Sequence, residues 1–575
     1  MNSISFHLDT VPDVSDQQTS LVIYGIMGFI QLHAGDYMLV VTGRESIGSI
    51  QGKPIYQANR FEIIPLANGV ANLPADQQTD EGVFVDLLQQ HLKSGVIYYS
   101  PSYDLTQSLQ RQAKLDASQP LWKRSDERFF WNKFISSKLI DAAETDPEFG
   151  AFVMPLLQGF VQVSVCRVNN QPFVLGLITR RSRHRPGTRY FSRGVDAHGH
   201  VSNYVETEQL ALYDGPDAKL PLSGQRQMAY VQTRGSIPVY WAQLINLKYT
   251  PRLWVGDSKK SAAAARLHFD EQITTYGDQY LINLVNTKGY ELPMGQAYAN
   301  VVKQLNDPRL HYTHFDFHKE CSKMRWHRIQ LLVDDLKDAL IAQGYYEYDA
   351  KQGVTKTQTS VVRTNCMDCL DRTNVVQSTL AKWVLTSQLR ELGVLGTNEV
   401  LDQHEAFMSI FRSAWADNAD RVSSMYSGTG ALKTDFTRTG NRTKAGALQD
   451  LNNSITRYIK NNFLDGQRQD GFDLFLGNYR VGTDASSPFV TEKPLRVRAL
   501  PPIVVFSLLM LLLHLLRPSL FGLHSLTTYL AILIFWISVL MSAVKFALRH
   551  SEFFVDLPHL LSPPQTADAS SEKPN

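Results

Sequence analysis

Two stretches near the C-terminal end restrict this chain more than any other feature. "ALPPIVVFSLLMLLLHLL" (Ala499–Leu516) and "LTTYLAILIFWISVLMSAV" (Leu526–Val544) run for 18 and 19 residues without one formal charge. A helix that crosses a bilayer needs about 20 apolar residues, and in hydrocarbon it must satisfy its own backbone hydrogen bonds. Two such stretches joined by the nine residues "RPSLFGLHS" read as a membrane hairpin rather than as two core helices. Lys493, Arg496 and Arg498 precede it, Lys545 and Arg549 follow it, and Arg517 alone sits in the turn. Cations gathered outside both ends place both flanks in the cytosol. His514 interrupts the first stretch.

The remainder reads as soluble. At 575 residues the chain is too long for one core, so at least two folded units are expected. It is 43% hydrophobic and 19% charged, the balance of a packed globule. A net charge of +2 excludes a whole-molecule field that holds polyanions, and nucleic acid is not an expected partner. Four cysteines, Cys166, Cys321, Cys366 and Cys369, are too few for a disulfide framework. The polar start "MNSISFHLDTVPDVSDQQ" lacks the basic region of a signal peptide, so the bulk of the chain is expected in the reducing cytosol.

Along the chain, residues 1–155 mix β-type runs such as "YMLVVTG" and "SGVIYYS" with the helical "GVFVDLLQQHLKS", an α+β unit. Residues 156–480 alternate strands and amphipathic helices, a larger α/β domain. A linker is expected at 481–498, the hairpin at 499–546 and a partly disordered cytosolic tail at 547–575. Eighteen linker residues reach about 60–65 Å when stretched and about 25 Å as a coil. A domain on such a tether stays close to its own membrane.

The chemistry concentrates in "SVVRTNCMDCLDRTNVVQS" (Ser360–Ser378). The β-branched "KTQTSVVR" predicts a strand, and "TNVVQSTLAKWVLTSQL" predicts a helix with Val376, Leu380, Trp383 and Val384 on one face. Between them Cys366 and Arg372 are separated by five residues. In a strand–loop–helix context, loop N–H groups and the helix N-terminus can cradle a phosphate, and Arg372 can grip it bidentately. The same field lowers a thiol pKa toward about 5–6. A thiolate at Cys366 then displaces the alcohol of a phosphate ester as a cysteinyl-phosphate that water hydrolyses, with no metal required. Asp368 and Asp371 are the candidate acids for the leaving group, with Asp368 favoured. Their bland alternative is to bond loop amides or orient Arg372.

A bare Cys-x5-Arg arises by chance, so other uses of these residues stay open. "CMDC" fits a redox pair, although Asp368 opposes thiolate formation. "HYTHFDFHKEC" offers His314, His318 and Cys321 at helical spacing for zinc. Cys369 reads as a packed small hydrophobe. "RRSRHRPGTRYFSRG" carries Arg180, Arg181, Arg183, Arg185, Arg189 and Arg193. It reads as a solvated loop or a patch for acidic lipid headgroups.

"RTNCMDCLDRTN" resembles the signature of the Sac-domain phosphoinositide phosphatases. "GTRYFSRGVD" (Gly187–Asp196), "NYVETEQ" (Asn203–Gln209), "QTRGSIPVYW" (Gln232–Trp241), "LVNTKGYELP" (Leu284–Pro293), "SGTGALKTDFTRTG" (Ser427–Gly440) and "DLFLGNY" (Asp473–Tyr479) are similar to family segments in the same order. The hairpin is similar to that of the endoplasmic-reticulum and Golgi members, above all the fungal form. The resemblance implies a Sac N-terminal domain packed on a catalytic domain with a Cys-x5-Arg phosphate-binding loop. It implies hydrolysis of phosphatidylinositol 4-phosphate, and of the 3-phosphate and 3,5-bisphosphate, without a cofactor. Cys366 and Arg372 match the family nucleophile and phosphate-binding arginine. Arg363, Met367, Cys369, Leu370, Thr373 and Asn374 are carried over as substrate-binding positions. The resemblance also implies an endoplasmic-reticulum or Golgi membrane and a sphingolipid-synthesis complex as partner. A membrane scaffold without strong catalysis is the alternative.

Overall fold

The computed structural model describes residues 21–67, 69–219, 222–482, 487–489, 494–516 and 525–561. Part of the expected linker, the hairpin turn at 517–524 and the tail from residue 562 lie outside them.

One sheet runs through the soluble part. Its strands are β1 (Gly25–Leu32), β2 (Gly35–Ile50), β3 (Lys53–Pro65), β4 (Ile97–Tyr99), β5 (Leu157–Val168), β6 (Gln171–Arg181), β7 (Val205–Tyr213) and β8 (Arg226–Arg234). The short β9 (Trp241–Leu244) and β10 (Arg252–Val255) pair apart from it. Then come β11 (Asp278–Asn283), β12 (Leu310–His314), β13 (Tyr346–Asp349), β14 (Gly353–Lys356) and β15 (Ser360–Asn365). From β1 to β8 each strand is the antiparallel neighbour of the next, and the sheet passes from the first unit to the second through Ile97↔Gln158 and Tyr98↔Leu157. Beyond β8 the order is β15, β11, β12 and every pairing is parallel. Parallel pairing requires crossovers, supplied here by the helices Leu292–Leu305 and Ile329–Gln343. The architecture is therefore mixed α/β, with a meander where plain alternation of strands and helices was expected.

The middle strands are covered on both sides. Every residue of β7 and β15 is buried, as expected of strands with helices on both faces. The helix Asp371–Glu391 lays Val376 and Leu380 against Ile282, Leu332, Leu336 and Val362. Full burial of each such side chain stabilises by about 1.5–3 kcal/mol. In the first unit the helix Ala75–Ser94 covers β1–β4 with Phe84, Leu87 and Leu88. That core also takes Phe472 and Phe475 from the helix Asp465–Phe475 and Leu560 from the far end of the chain. The strongest buried charges are paired across strands: Arg180, fully buried, bonds Glu206 at 2.9 Å and Glu208 at 2.6 Å.

The two apolar stretches are helices, Leu495–Leu516 and Leu526–Arg549, and they pack on each other. Most of their side chains face outward, as a bilayer requires. His514 turns into the seam between them, where Nε2 lies 2.9 Å from the Tyr529 carbonyl and the two rings stack at 4.4 Å. The interruption is thus an inter-helix contact and not a break.

Candidate active site

The motif occupies the strand, loop and helix that its pattern predicts: β15 ends at Asn365 and the helix begins at Asp371. The carboxyl ends of three parallel strands converge on the loop between them. β15 delivers Cys366, β8 delivers Gly235 beneath Cys369, and β11 runs into Leu284, whose carbonyl accepts from Arg372 Nη1 at 3.2 Å. Ligand sites in open α/β sheets form at this end, where loops can splay apart.

Cys366 is nearly closed off, at 2% exposure. The Cys369 N–H donates to its Sγ at 3.2 Å and the Thr373 hydroxyl lies 3.6 Å away. Cys369 adopts a left-handed φ of 54°, which turns its amide toward the sulfur. Hydrogen bonding from Cys369 is the largest influence on the thiol. It outweighs burial and, with the Arg372 charge and the Thr373 hydroxyl, brings the Cys366 pKa down to about 6. Cys369 goes the other way: burial and the neighbouring sulfur push its thiol well above the ordinary value. Its Sγ donates to the Gly235 carbonyl at 2.9 Å. The two cysteines form an asymmetric pair, one poised to ionise and the other holding the turn.

Arg372 is held by Glu291, Nη1 and Nη2 meeting its two carboxylate oxygens at 2.8 and 2.7 Å. Glu291 also accepts from the Asn286 N–H at 2.7 Å. This fork-to-fork pairing is the geometry a phosphate would use.

The two loop carboxylates have opposite environments. Burial alone would raise the Asp368 pKa, but Arg189 (2.9 and 3.2 Å) and Arg193 (2.6 Å) outweigh it and hold the group well below the carboxylate range. Asp371 keeps 32% side-chain exposure. Burial raises its pKa against the pull of Arg457, 4.0 Å away, and of the Leu432 N–H at 2.8 Å. One carboxylate is held as an anion, and the other has its pKa raised at a partly accessible position.

A sequence profile for the SacI homology domain matches residues 24–322. The chain belongs to this family. The phosphatidylinositol-3-phosphatase SAC1 of Saccharomyces cerevisiae is 44% identical over 85% of this chain and 78% of its own length. The Drosophila melanogaster protein of the same name is 42% identical over 94% and 89%. SAC1-B of Danio rerio is 41% identical over 96% and 91%.

The other positions carried over from the Sac family sit inside the fold. Arg363 is fully buried and donates to the Ser236 carbonyl at 2.8 Å. Asn374 donates to the Trp415 carbonyl at 2.9 Å and accepts from Asn418 at 3.1 Å. Met367 enters one core and Leu370 packs on Val422, Met425 and Tyr426.

Two expectations change. The arginine run is not an exposed basic patch. Arg180, Arg181 and Arg193 are buried, and Arg183 pairs with Glu127. Arg185 donates to the Arg193 carbonyl, and Arg189 joins Arg193 on Asp368. Glu206 and Glu208 lie 26 and 28 positions beyond Arg180, and Asp368 lies 175 and 179 beyond Arg193 and Arg189, out of view of local composition. "HYTHFDFHKEC" is not one helix either. His314 ends β12, only Phe317–Glu320 is helical, and Cys321 packs in the core with Ile329 and Leu332. His314 Nε2 meets the Val285 carbonyl at 2.9 Å. Glu291, Arg457, Arg189 and Arg193 complete the site without a signal in the motif itself. Glu291, Arg189 and Arg193 fall within family-like segments, and Arg457 within none.

Proposed function

We propose that the protein is a phosphoinositide phosphatase that hydrolyses phosphatidylinositol 4-phosphate, and also the 3-phosphate and 3,5-bisphosphate, to the dephosphorylated lipid. The observation that carries this reading is a buried thiol with its pKa drawn to about 6, beside an arginine whose fork is set for an oxyanion. The relatives, named as phosphatidylinositol-3-phosphatases, support the same class.

In the proposed reaction the substrate phosphate takes over the Arg372 fork from the Glu291 carboxylate. The Cys366 thiolate attacks phosphorus in line, an S–P bond forms, and the bond to the inositol oxygen breaks. Asp371 gives its proton to that oxygen, so neutral alcohol leaves. Water then attacks the cysteinyl-phosphate while Asp371 takes a proton back, releasing inorganic phosphate and the thiolate. Asp368 stays ionised and fixes the loop through Arg189 and Arg193. This allocation moves the acid role from Asp368 to Asp371, because a carboxylate clamped by two guanidinium groups has no proton to give.

The charge distribution around the two apolar helices supports cytosolic flanks on both sides, and the family resemblance supports an endoplasmic-reticulum or Golgi membrane. The family resemblance supports a sphingolipid-synthesis complex as a partner, which co-purification from native membranes tests. The function itself is tested by phosphate release from short-chain phosphatidylinositol 4-phosphate, with EDTA present, using the full chain and its Cys366→Ser variant. Release by the wild type and none by the variant is expected. Equal release by both, or none from folded wild type on any of the three lipids, refutes the reading.

A further inference from the structure

The helix Lys444–Phe463 has two faces with opposite fates. Its inner face packs on residues 423–430 and reaches the catalytic loop at Asp371. Arg457 is buried, donates to Thr429 Oγ1, Ser423 Oγ and the Gly430 carbonyl at 2.9–3.1 Å, and stands 4.0 Å from Asp371. Asn461 donates to the Ser427 carbonyl at 3.0 Å. Half a turn away, Leu448, Leu451, Ile455, Ile459 and Phe463 recur at steps of three or four and stand 42–68% exposed. Leu464 continues the stripe at 47% exposure. Tyr458 bonds the Leu247 carbonyl at 2.6 Å, which brings the loop with Tyr249, 79% exposed, alongside. The helix has a single carboxylate, Asp450, and it is turned inward onto Arg442 at 2.6 Å. Exposed Lys444 and Lys248 border the stripe. An apolar stripe with cations and without anions on its outer side has the make-up of a helix that lies in a membrane interface.

The chain itself places this helix near a bilayer. After the second apolar helix ends at Arg549, the backbone is fixed again at Asp556, whose N–H donates to the Asn462 carbonyl at 2.8 Å. Asp556 in turn accepts from the Gln467 N–H at 3.0 Å. Seven residues span at most about 25 Å, and Ser551–Phe553 form a 3-10 turn that shortens the path. The C-terminal end of the stripe helix is therefore held close to the end of the hairpin.

We propose that the outer face of Lys444–Phe463, with Tyr249, beds in the headgroup–acyl boundary of the membrane that carries the hairpin, and so holds the catalytic loop at the lipid surface through Arg457. This rests on the hairpin and phosphatase readings above and adds the surface that brings enzyme and lipid together.

The test uses the full chain in vesicles of phosphatidylcholine with phosphatidylserine. The other three cysteines are buried and Cys366 is nearly closed off, so an Ile455→Cys variant, read against wild type carried through the same labelling, reports an environment-sensitive fluorophore at the new site. Blue-shifted emission quenched by doxyl-labelled lipid is expected. Water-like emission that doxyl lipid leaves unchanged overturns the proposal. So does emission that turns apolar only when a second protein is added, which would assign the face to a protein. In parallel, the triple variant Leu451→Gln, Ile455→Gln, Ile459→Gln should lose about tenfold or more of its hydrolysis of vesicle lipid. Its hydrolysis of a water-soluble dibutanoyl lipid should stay within about twofold of wild type. Wild-type rates on both lipids overturn the proposal. A quenched fluorophore in a protein silent on both lipids upholds the membrane seat and refutes the phosphatase reading instead.

Discussion

Replacing Thr373 by valine tests whether the loop, rather than burial or chance, sets the reactivity of Cys366. The substitution keeps the shape of a fully buried side chain and removes one hydroxyl that lies 3.6 Å from Sγ. A hydrogen bond to a charged group contributes about 1.5–3 kcal/mol, and at this sulfur distance the lower end applies. One pKa unit corresponds to about 1.4 kcal/mol, so the thiol should move from about 6 to about 7. At pH 6 the thiolate fraction then falls from about one half to about one tenth, and at pH 7 from about nine tenths to about one half. The assay is the rate of iodoacetamide alkylation against pH, followed by peptide mass spectrometry. The other thiols do not interfere, since burial pushes Cys166 up to about 12 and Cys321 up to about 11, and Cys369 lies well above its ordinary value. Restricted access to Cys366 lowers every rate but leaves the midpoint in place. The expected result is about fivefold slower labelling of the variant at pH 6 and equal rates above pH 9. A wild-type midpoint near the ordinary 8.5 would refute the activated thiolate. An unmoved midpoint in the variant would remove Thr373 from the account.

The remaining predictions separate the other members of the site. Asp371→Asn should lower kcat on the lipid by about 10²–10⁴, yet barely change turnover of p-nitrophenyl phosphate, whose leaving group needs no proton. Asp368→Asn should slow both substrates alike and destabilise the fold, because breaking a buried ion pair costs about 3–5 kcal/mol; parallel kinetics and thermal melts distinguish the two. Arg372→Lys keeps the charge but loses the fork, and kcat/KM should fall about 10²–10³. Gly466→Val would place its Cβ 2.7 Å from the Leu557 carbonyl, so the chain around 556–560 should lose its amide exchange protection while Cys366 alkylation stays as in wild type. Burial raises the Asp473 pKa to about 6, so the carboxyl favours the fold at acid pH and loses that contribution as pH rises through about 6. Asp473→Asn should therefore raise the melting temperature at pH 8, by up to about 3 kcal/mol of stability, and the gain should shrink toward pH 5.

What the sequence made legible was local. The β-branched run before Cys366 and the spacing of Val376, Leu380 and Val384 determine a strand and a helix within a few residues of the motif, and a loop between them follows. The uncharged, largely apolar runs at 499–516 and 526–544 announce helices for the same reason. The illegible part depends on partners far along the chain. Arg180 and Arg193 look like solvated charge until Glu206 and Asp368 are seen against them. Asp368 looks like an acid until two guanidinium groups are placed on it. Arg372 shows no sign of Glu291, 81 positions earlier. Periodicity also reveals a stripe without saying what it faces: Leu448, Leu451, Ile455 and Ile459 have core-helix spacing, yet the core took the opposite side of that helix.

The tether is where distant contacts change the functional argument most. Read from composition, the segment before the hairpin is a coil with a reach of tens of ångströms. In the structure the chain is fixed on the soluble body both before and after the hairpin. Ser487 donates to Asp80 at 2.7 Å and the Phe489 ring meets Phe84 at 5.1 Å. On the far side, the N–H groups of His559 and Leu560 both donate to the buried Asp470 carboxylate at 2.9 Å, and Leu560 enters the core that contains Phe84. Both returns thus land where the helices Ala75–Ser94 and Asp465–Phe475 pack together. From Phe489 to Leu495 six residues span at most about 20 Å, and from Arg549 to Asp556 seven span at most about 25 Å. Two short connections between points anchored on the body and the hairpin restrict rotation as well as distance, which a single long coil would not. The orientation of the body relative to its hairpin is then a property of the fold. A body mounted in this way favours lipid in the bilayer that carries its hairpin, because reaching a second membrane requires the contacts at Asp80 and Asp470 to break first.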